Sequence, residues 1–266
     1  MIRRVFNQRN YNLLRELVIT DFKLRYQGSA LGYLWSLAKP MLLFGILYVV
    51  FAKFFRFGAG IPHYPTYLLL GIVLWTYFTE STSQGLASIV GRGELIRKVS
   101  LPKYIIVLST SFSTLINLVL NLVVVGVFMA ATHVPIYWHV IYLVPIIAEL
   151  LVLSAAVSFL LAALFVLYRD MSYIWEVVLQ MLFYGTPIIY PLSLLPGKYA
   201  KIVALSPLAQ IIQDARYVTI SRATVRTTQI LPHPLGIILP PLIILGLLLV
   251  AAQYFRISSR KFAENI

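Results

Sequence analysis

Three carboxylates, Glu80, Glu149 and Glu176, fall within long apolar stretches of this chain. A charge at bilayer depth is expensive, so each is by default a candidate for transport or proton relay. Glu80 sits in the polar run TESTSQ and Glu176 lies close to Arg169 and Asp170, which leaves Glu149 as the deeply placed one. The competing reading for Glu149 is a hydrogen-bonded carboxyl that packs helices. Other chemistry is missing. There is no Cys, hence no disulfide, thiolate metal site or thiol nucleophile, and His63, His133, His139 and His233 are isolated in sequence. No G-x-x-x-x-G-K-[ST] phosphate loop, H-E-x-x-H pair, nucleophile elbow or dinucleotide fingerprint occurs, so ATP hydrolysis by that route is not expected of this chain. No catalytic residue and no metal ligand is assigned.

Two stripes are sharper. Phe44, Tyr48, Phe51 and Phe55 recur at i, i+4, i+7 and i+11, one face of a helix, and Tyr33 joins them if Pro40 leaves the helix unrotated. Aromatic faces suit the C–H faces of sugar rings, so a sliding path for a glycan competes with ordinary packing or lipid-facing aromatics. Thr110, Ser113, Asn117 and Asn121 share a second face, either as hydrogen-bonding glue between helices or as a pore lining.

The elements that must position these residues are membrane spans. The chain of 266 residues is 60% hydrophobic, against roughly 45–50% for a soluble domain, and 12% charged, with a mean hydropathy of +0.85 and a net charge of +13. That excludes a soluble globular reading and puts the basic residues at membrane flanks. A bilayer core about 30 Å thick needs about 20 apolar residues per helix. Six stretches qualify, near residues 37–56, 67–88, 105–131, 140–167, 173–191 and 236–255. They are continuous apolar runs, not the alternating segments of a barrel, so an all-α integral membrane protein with six transmembrane helices is expected.

Lys and Arg set the orientation. They concentrate in residues 1–39, in the connection holding Arg92, Arg97, Lys98 and Lys103, at Arg169, and in a tail with Arg256, Arg260 and Lys261. The opposite connections hold Lys53, Arg56, Lys198, Lys201, Arg216, Arg222 and Arg226. Both termini are therefore expected on the cytoplasmic side. The first thirty residues lack an uninterrupted apolar stretch and a small-residue cleavage site, so no signal peptide is expected.

Within residues 8–26, Tyr11, Leu14, Leu17, Val18 and Phe22 share one face, which predicts an amphipathic helix on the inner membrane surface. Asp21 and Arg25 intrude on that face at i,i+4 spacing and are expected to pair. The basic stretch GRGELIRKVSLPKY, residues 91–104, is either a positive-inside anchor or a short helix offered to a cytoplasmic partner. From Pro187 to Ser206 proline and glycine recur too often for an uninterrupted span, which predicts re-entrant outer half-helices or an extracellular loop.

Four blocks in register, TDFKLRYQGSALGYLWSLAKPML (20–42), LLLGIVLWTYFTEST (68–82), ELIRKVSLPKYIIVLS (94–109) and YRDMSYIWEVVLQMLFYGTPIIYPLSLLP (168–196), resemble the permease subunits of type-2 ABC polysaccharide exporters. The chain looks most like the teichoic acid translocation permeases, with O-antigen and capsule permeases next. The resemblance implies a half-transporter that pairs with a second copy of itself and with two copies of a cytoplasmic ABC ATPase in a bacterial cytoplasmic membrane. ATP and Mg would then belong to the partner, with no cofactor in this chain. It implies that Glu94, Leu95, Ile96, Arg97 and Lys98 form the helix that couples to the ATPase, that residues 8–26 form the interface helix, and that Pro187, Pro191 and Pro196 mark a broken outer gate. The substrate implied is a polymer on an undecaprenyl-type lipid, threaded through an aromatic-lined channel. The expected organisation is a tail and interface helix over 1–36, a transmembrane domain over 37–255 and a tail over 256–266.

The charge of the outer connections is a separate argument. Lys198, Lys201, Arg216, Arg222 and Arg226 give the exit side a positive field that favours an anionic polymer, such as a poly(polyol phosphate), or anionic lipid headgroups. Competing functions are a drug or lipid efflux permease of the same class, a proton-coupled carrier built on Glu149, and an intramembrane enzyme acting on lipid-linked sugars. For the last, no cluster of His and carboxylates is present in the sequence.

Overall fold

The computed structural model describes residues 8–26, 32, 34–56, 58, 60–99, 101–231 and 234–262, with Arg25 and Tyr26 described by backbone alone. Helix α1 (Gln8–Tyr26) is followed by α2 (Leu34–Leu47), which carries the buried Pro40 and runs on as a π-helix over Tyr48–Phe54. Then come α3 (Tyr64–Ser88), the short α4 (Gly93–Lys98), α5 (Lys103–Ala131) and α6 (Leu143–Leu167), the last entered through a 3-10 turn at Trp138–Tyr142. The remainder is α7 (Met171–Gly185), α8 (Gly197–Ala204), α9 (Pro207–Thr219), α10 (Thr227–Ile230) and α11 (Leu235–Ser258). No strand occurs among the described residues.

Four helical stretches are long and apolar enough to cross a membrane: Leu34–Phe54, Lys103–Ala131, Trp138–Leu167 and Leu235–Lys261. Helix α3 has the length, 25 residues or about 37 Å at 1.5 Å per residue, but its C-terminal half is polar. It is the central helix. Leu68, Leu70, Ile72 and Leu74 are fully buried, and the core around them draws side chains from α5, α6, α7 and α9. Enclosure explains how α3 tolerates Ser81, Thr82 and Ser88, all buried. The Ser81 hydroxyl donates to Ser111 Oγ of α5 at 3.3 Å, the Ser158 hydroxyl of α6 donates to the Ser81 carbonyl at 3.2 Å, and Trp175 Nε1 of α7 donates to Thr82 Oγ1 at 3.2 Å. Lipid tails are as apolar as leucine, so close packing and hydrogen bonds of this kind, about 0.6 kcal/mol each, hold such helices together. At Gly85 a Cβ would overlap Ser158, so only glycine admits that approach.

The fifth expected span, residues 173–191, is cut short. Helix α7 has 15 residues and stops at Gly185, where Thr186 turns extended ahead of Pro187. Residues 187–206 form a 3-10 turn (Leu192–Leu194) and α8, and the sequence reading did not anticipate α9 after them. That helix begins cleanly: Ser206 accepts from the Ala209 N–H at 3.4 Å and Pro207 occupies the first turn. The stretch 91–104 contracts to a helix over Gly93–Lys98, after a 3-10 turn at Val90–Arg92.

Successive connections gather at alternate ends. Pro62, Pro135, Tyr137 and Ser221 line one cavity at one end. At the other, Ile89, Ile96, Ile106, Val166, Phe255 and Phe262 form a second apolar cluster, with Phe255 edge-on to Phe159 at 5.1 Å and to Phe262 at 5.4 Å. Lys103 Nζ bonds the Ser259 carbonyl there.

Candidate functional site

At the end that carries α4, the isoleucine anchors and the charges project. Ile96 is buried in the second cluster, while Arg97 and Lys98 are exposed and Glu94 pairs with Lys98 across one turn at 3.1 Å. Leu95 faces a groove of about 590 Å³ whose opposite wall is α1, through Asn10, Leu13 and Leu17. The residues expected to couple to an ATPase thus lie on one short helix with one buried anchor and a solvent-facing edge.

Helix α1 docks on α5. Asn10 Nδ2 donates to the Tyr104 hydroxyl at 3.2 Å, and Leu14, Leu17, Val18 and Phe22 are half-buried while Tyr11 is exposed. Asp21 does what its sequence neighbourhood hid: its carboxylate bonds Arg92, and Ser109 Oγ of α5 donates to it at 3.0 Å. Arg92 Nη1 in turn donates to Ser109 Oγ at 3.1 Å. This closed triad ties α1, the turn before α4, and α5. The expected i,i+4 partner, Arg25, has a side chain outside the described residues.

The aromatic stripe changes shape. Tyr33 lies outside the described residues. Phe44 stacks on Tyr48 at 5.7 Å and meets Phe128 of α5 edge-on at 5.6 Å, whereas Phe51 stacks on Phe55 at 5.5 Å. The π-helix begins at Tyr48; Phe44, Tyr48 and Phe51 pack against the same core while Phe55 is exposed. Within the expected stripe the rings stack in two pairs, Phe44 with Tyr48 and Phe51 with Phe55. Of the polar stripe, Thr110, Ser113, Asn117 and Asn121 are all buried; Thr110 and Ser113 bond carbonyls of their own helix, and Asn121 Nδ2 reaches the Ser36 carbonyl of α2 at 3.1 Å.

At the opposite end the break after α7 is held by an arginine. Arg216 of α9 is fully buried. Its Nε donates to the Tyr67 carbonyl at 3.0 Å, and Nη1 and Nη2 donate to the Pro187 and Ile188 carbonyls, each at 2.6 Å. Its guanidinium lies over the Tyr67 ring, 3.5 Å from the centroid, and a Cβ at Gly71 would overlap it. The Tyr64 hydroxyl adds a bond to the Ile189 carbonyl at 2.7 Å. Carbonyls freed where a helix breaks must find donors at depth, and Arg216 supplies them in one planar fork.

Arg216 is therefore not part of an outer basic surface. Arg226 is half-committed as well, since its Nε donates to Asp214 at 2.6 Å, and this hydrogen bond holds the guanidinium charged. Lys198, Lys201 and Arg222 remain exposed. Of the three prolines, Pro187 is buried beside the Arg216 fork, Pro191 is half-buried and Pro196 is exposed at the start of α8. The signal that reveals Arg216 is present in the sequence: Leu208, Ile211, Ile212 and Ala215 define the apolar face of α9, and Arg216 follows Ile212 at i+4 on that face.

Glu149 is half-buried, and its Oε1 has no hydrogen-bond partner. Glu176 is exposed and Glu80 half-buried. Among the described residues no three His, Asp or Glu side chains gather as a metal ion requires.

Residues 12–220 match the family described as ABC-2 type transporter. The chain is 29% identical over 269 residues to the O-antigen export system permease protein RfbA of Myxococcus xanthus, covering 100% of this chain and 99% of that protein. It is 30% identical over 207 residues to an RfbA of Klebsiella pneumoniae, covering 77% and 79%. It is 22% identical over 202 residues to the polysialic acid transport protein KpsM of Escherichia coli, covering 75% and 78%.

Proposed function

The chain belongs to the ABC-2 type transporter family, and from that premise we propose that it is the membrane permease of an ATP-driven exporter of surface polysaccharide of the O-antigen or capsule kind. The observation that carries this reading is the alignment of nearly the whole chain with an O-antigen export permease. The end bearing α4 supports it: a helix anchored by Ile96, with Arg97 and the Glu94–Lys98 pair exposed toward another protein, suits a permease driven by a separate ATPase. In this reading α4 lies in the cytoplasm with both termini, Glu94 to Lys98 contact the ATPase, and the working unit holds two copies of this chain and two of the ATPase. Helices α3 and α7 complete six crossings, α7 continuing through the break held by Arg216. Residues 187–206 are the outer gate, and the substrate arrives on an undecaprenyl-type lipid from the inner leaflet.

The names of the relatives favour O-antigen or capsule polymers over teichoic acid. The charge argument for teichoic acid is also weaker than the sequence implied, since Arg216 is buried and Arg226 is paired. An anionic polyol-phosphate polymer is the second reading and rests on the exposed Lys198, Lys201 and Arg222. Changing those three to Gln is then expected to reduce export of a phosphate polymer more than of a neutral one; equal export of both removes that reading.

The deciding experiment is deletion of this chain in its native cell, followed by staining of surface glycan. The expected result is loss of surface polysaccharide with lipid-linked polymer accumulating inside, and rescue by the intact chain. Unchanged surface glycan, with altered drug or lipid efflux instead, contradicts the reading.

A further inference from the structure

At the end opposite α4, a cavity of about 360 Å³ opens between the Trp138–Tyr142 turn, α9 and the connection that follows α9. Its walls include His139, Tyr142, Asp214, Tyr217, Arg222 and Arg226. Two of these are fixed before any ligand arrives. Asp214 is 7% exposed, accepts from Arg226 Nε at 2.6 Å and from Gln210 Nε2 at 3.2 Å, and Arg226 also lies over the Tyr217 ring at 4.9 Å. A guanidinium carries five N–H donors and a carboxylate about four acceptor positions, so each partner retains hydrogen-bonding capacity toward the cavity after the pair has formed. Arg222 is exposed, contacts His139 and stands 5.9 Å from the same Tyr217 ring. No carboxylate lies within ion-pair distance of Arg222 among the described residues.

This set of groups has a matching ligand chemistry. A carboxylate and a guanidinium side by side accept from and donate to neighbouring hydroxyls, and a phenol ring offers a face to ring C–H groups. The volume is near the lower end of the roughly 300–1,000 Å³ range of ligand pockets, enough for a single ring and too small for a stretch of polymer. Arg226 is taken up by Asp214, which leaves Arg222, exposed and with no carboxylate at ion-pair distance among the described residues, as the cation able to meet an anionic group.

We propose that this cavity is an exit-side subsite that holds one acidic sugar unit of the passing polysaccharide. Asp214 and Arg226 bond its hydroxyls, Tyr217 stacks on its ring, and Arg222 meets its carboxylate or phosphate. The proposal rests on the polysaccharide-export reading and adds to it the chemical class of a repeat unit and the residues that read it. A bare phospholipid headgroup fits less well, because it presents no ring face to Tyr217 and no ring hydroxyls to Asp214 and Arg226.

The test uses the full chain with its ATPase in nanodiscs of zwitterionic lipid, with ligand binding followed by saturation-transfer NMR. The probes are methyl β-D-glucuronide, methyl β-D-glucoside and glycerol 3-phosphate. Glucuronide is expected to bind about tenfold more tightly than glucoside, as one charge-assisted hydrogen bond supplies. Arg222→Gln should erase that preference while leaving glucoside binding unchanged, and Tyr217→Ala should weaken both sugars by up to about tenfold. Three results overturn the proposal: no sugar binding, glucuronide binding unaffected by both substitutions, or glycerol 3-phosphate binding as tightly as glucuronide and indifferent to Tyr217→Ala. Loss of surface glycan on deletion of the chain is scored separately, so that a failed subsite in a working exporter is distinguished from a failed exporter reading.

Discussion

Arg216 is fully buried and donates to three carbonyls. Removing it strands the Pro187 and Ile188 carbonyls in a buried setting, at about 1–3 kcal/mol for each that finds no water, while the Tyr67 carbonyl keeps its partner within α3. Arg216→Met is therefore expected to destabilise the protein by several kcal/mol, read as a lower midpoint of thermal aggregation in detergent. Gly71→Ala, which adds a methyl group where the guanidinium lies, should shift the midpoint in the same direction. A midpoint unchanged by Arg216→Met removes the clamp from the account. Glu149 makes the opposite prediction. In an ATP-driven exporter Glu149→Gln should leave export close to normal, because the substitution keeps the shape and removes only the charge; abolished export points to the proton-coupled carrier instead. The sequence named Glu149 because a lone carboxylate stands out in an apolar run. It placed Arg216 on the surface because a basic residue beyond the fifth span was counted by its charge, without a helix to show which way it faced.

In the proposed assembly, force enters the molecule through its short elements. The triad of Asp21, Arg92 and Ser109 ties α1 to the turn before α4 and to α5, so motion imposed on α4 reaches a long helix directly. Asp21→Asn is expected to leave ATP hydrolysis intact and to lower export, since it loosens the tie without touching the exposed edge of α4. A variant that loses hydrolysis and export in equal measure contradicts that role. The existence and approximate place of α1, α4 and the long apolar helices were legible because their periodicity and length are properties of local sequence. The triad was not, as its three members are separated by 71 and 88 residues and the nearer Arg25 offered a plausible local partner. The period of the aromatic stripe was not legible for a related reason: 3.6 residues per turn was assumed through Tyr48, where the backbone widens into a π-helix. Likewise the span counted by hydropathy to residue 191 ends at Gly185, ahead of the Pro187 at which the sequence already signals a break.

On the scale of the whole molecule, the chain is an enclosed polar-tailed helix, α3, inside a sleeve of apolar ones. Leu34–Phe54 and Leu235–Lys261 leave most of their apolar side chains unburied, Leu42, Ile46, Phe54, Leu242 and Leu249 among them, so these two helices present broad apolar faces outward. Lipid and a second copy of the chain are the coverings the proposed assembly supplies. Composition made the membrane class legible, and the four blocks in register made the transporter class legible. The polymer was not, because what distinguishes one exported glycan from another is read by a few side chains whose pairing is settled only in the fold. The central claim is that this chain is driven by a separate ATPase bound at α4. Its most direct test is to isolate the chain from its native membrane in mild detergent, measure bound phosphate-loop ATPase by quantitative mass spectrometry, and repeat with Arg97→Glu and Lys98→Glu together. The account predicts one ATPase per permease chain, lost in the double variant while the permease itself stays folded. A preparation that still transports polymer with no ATPase bound contradicts it.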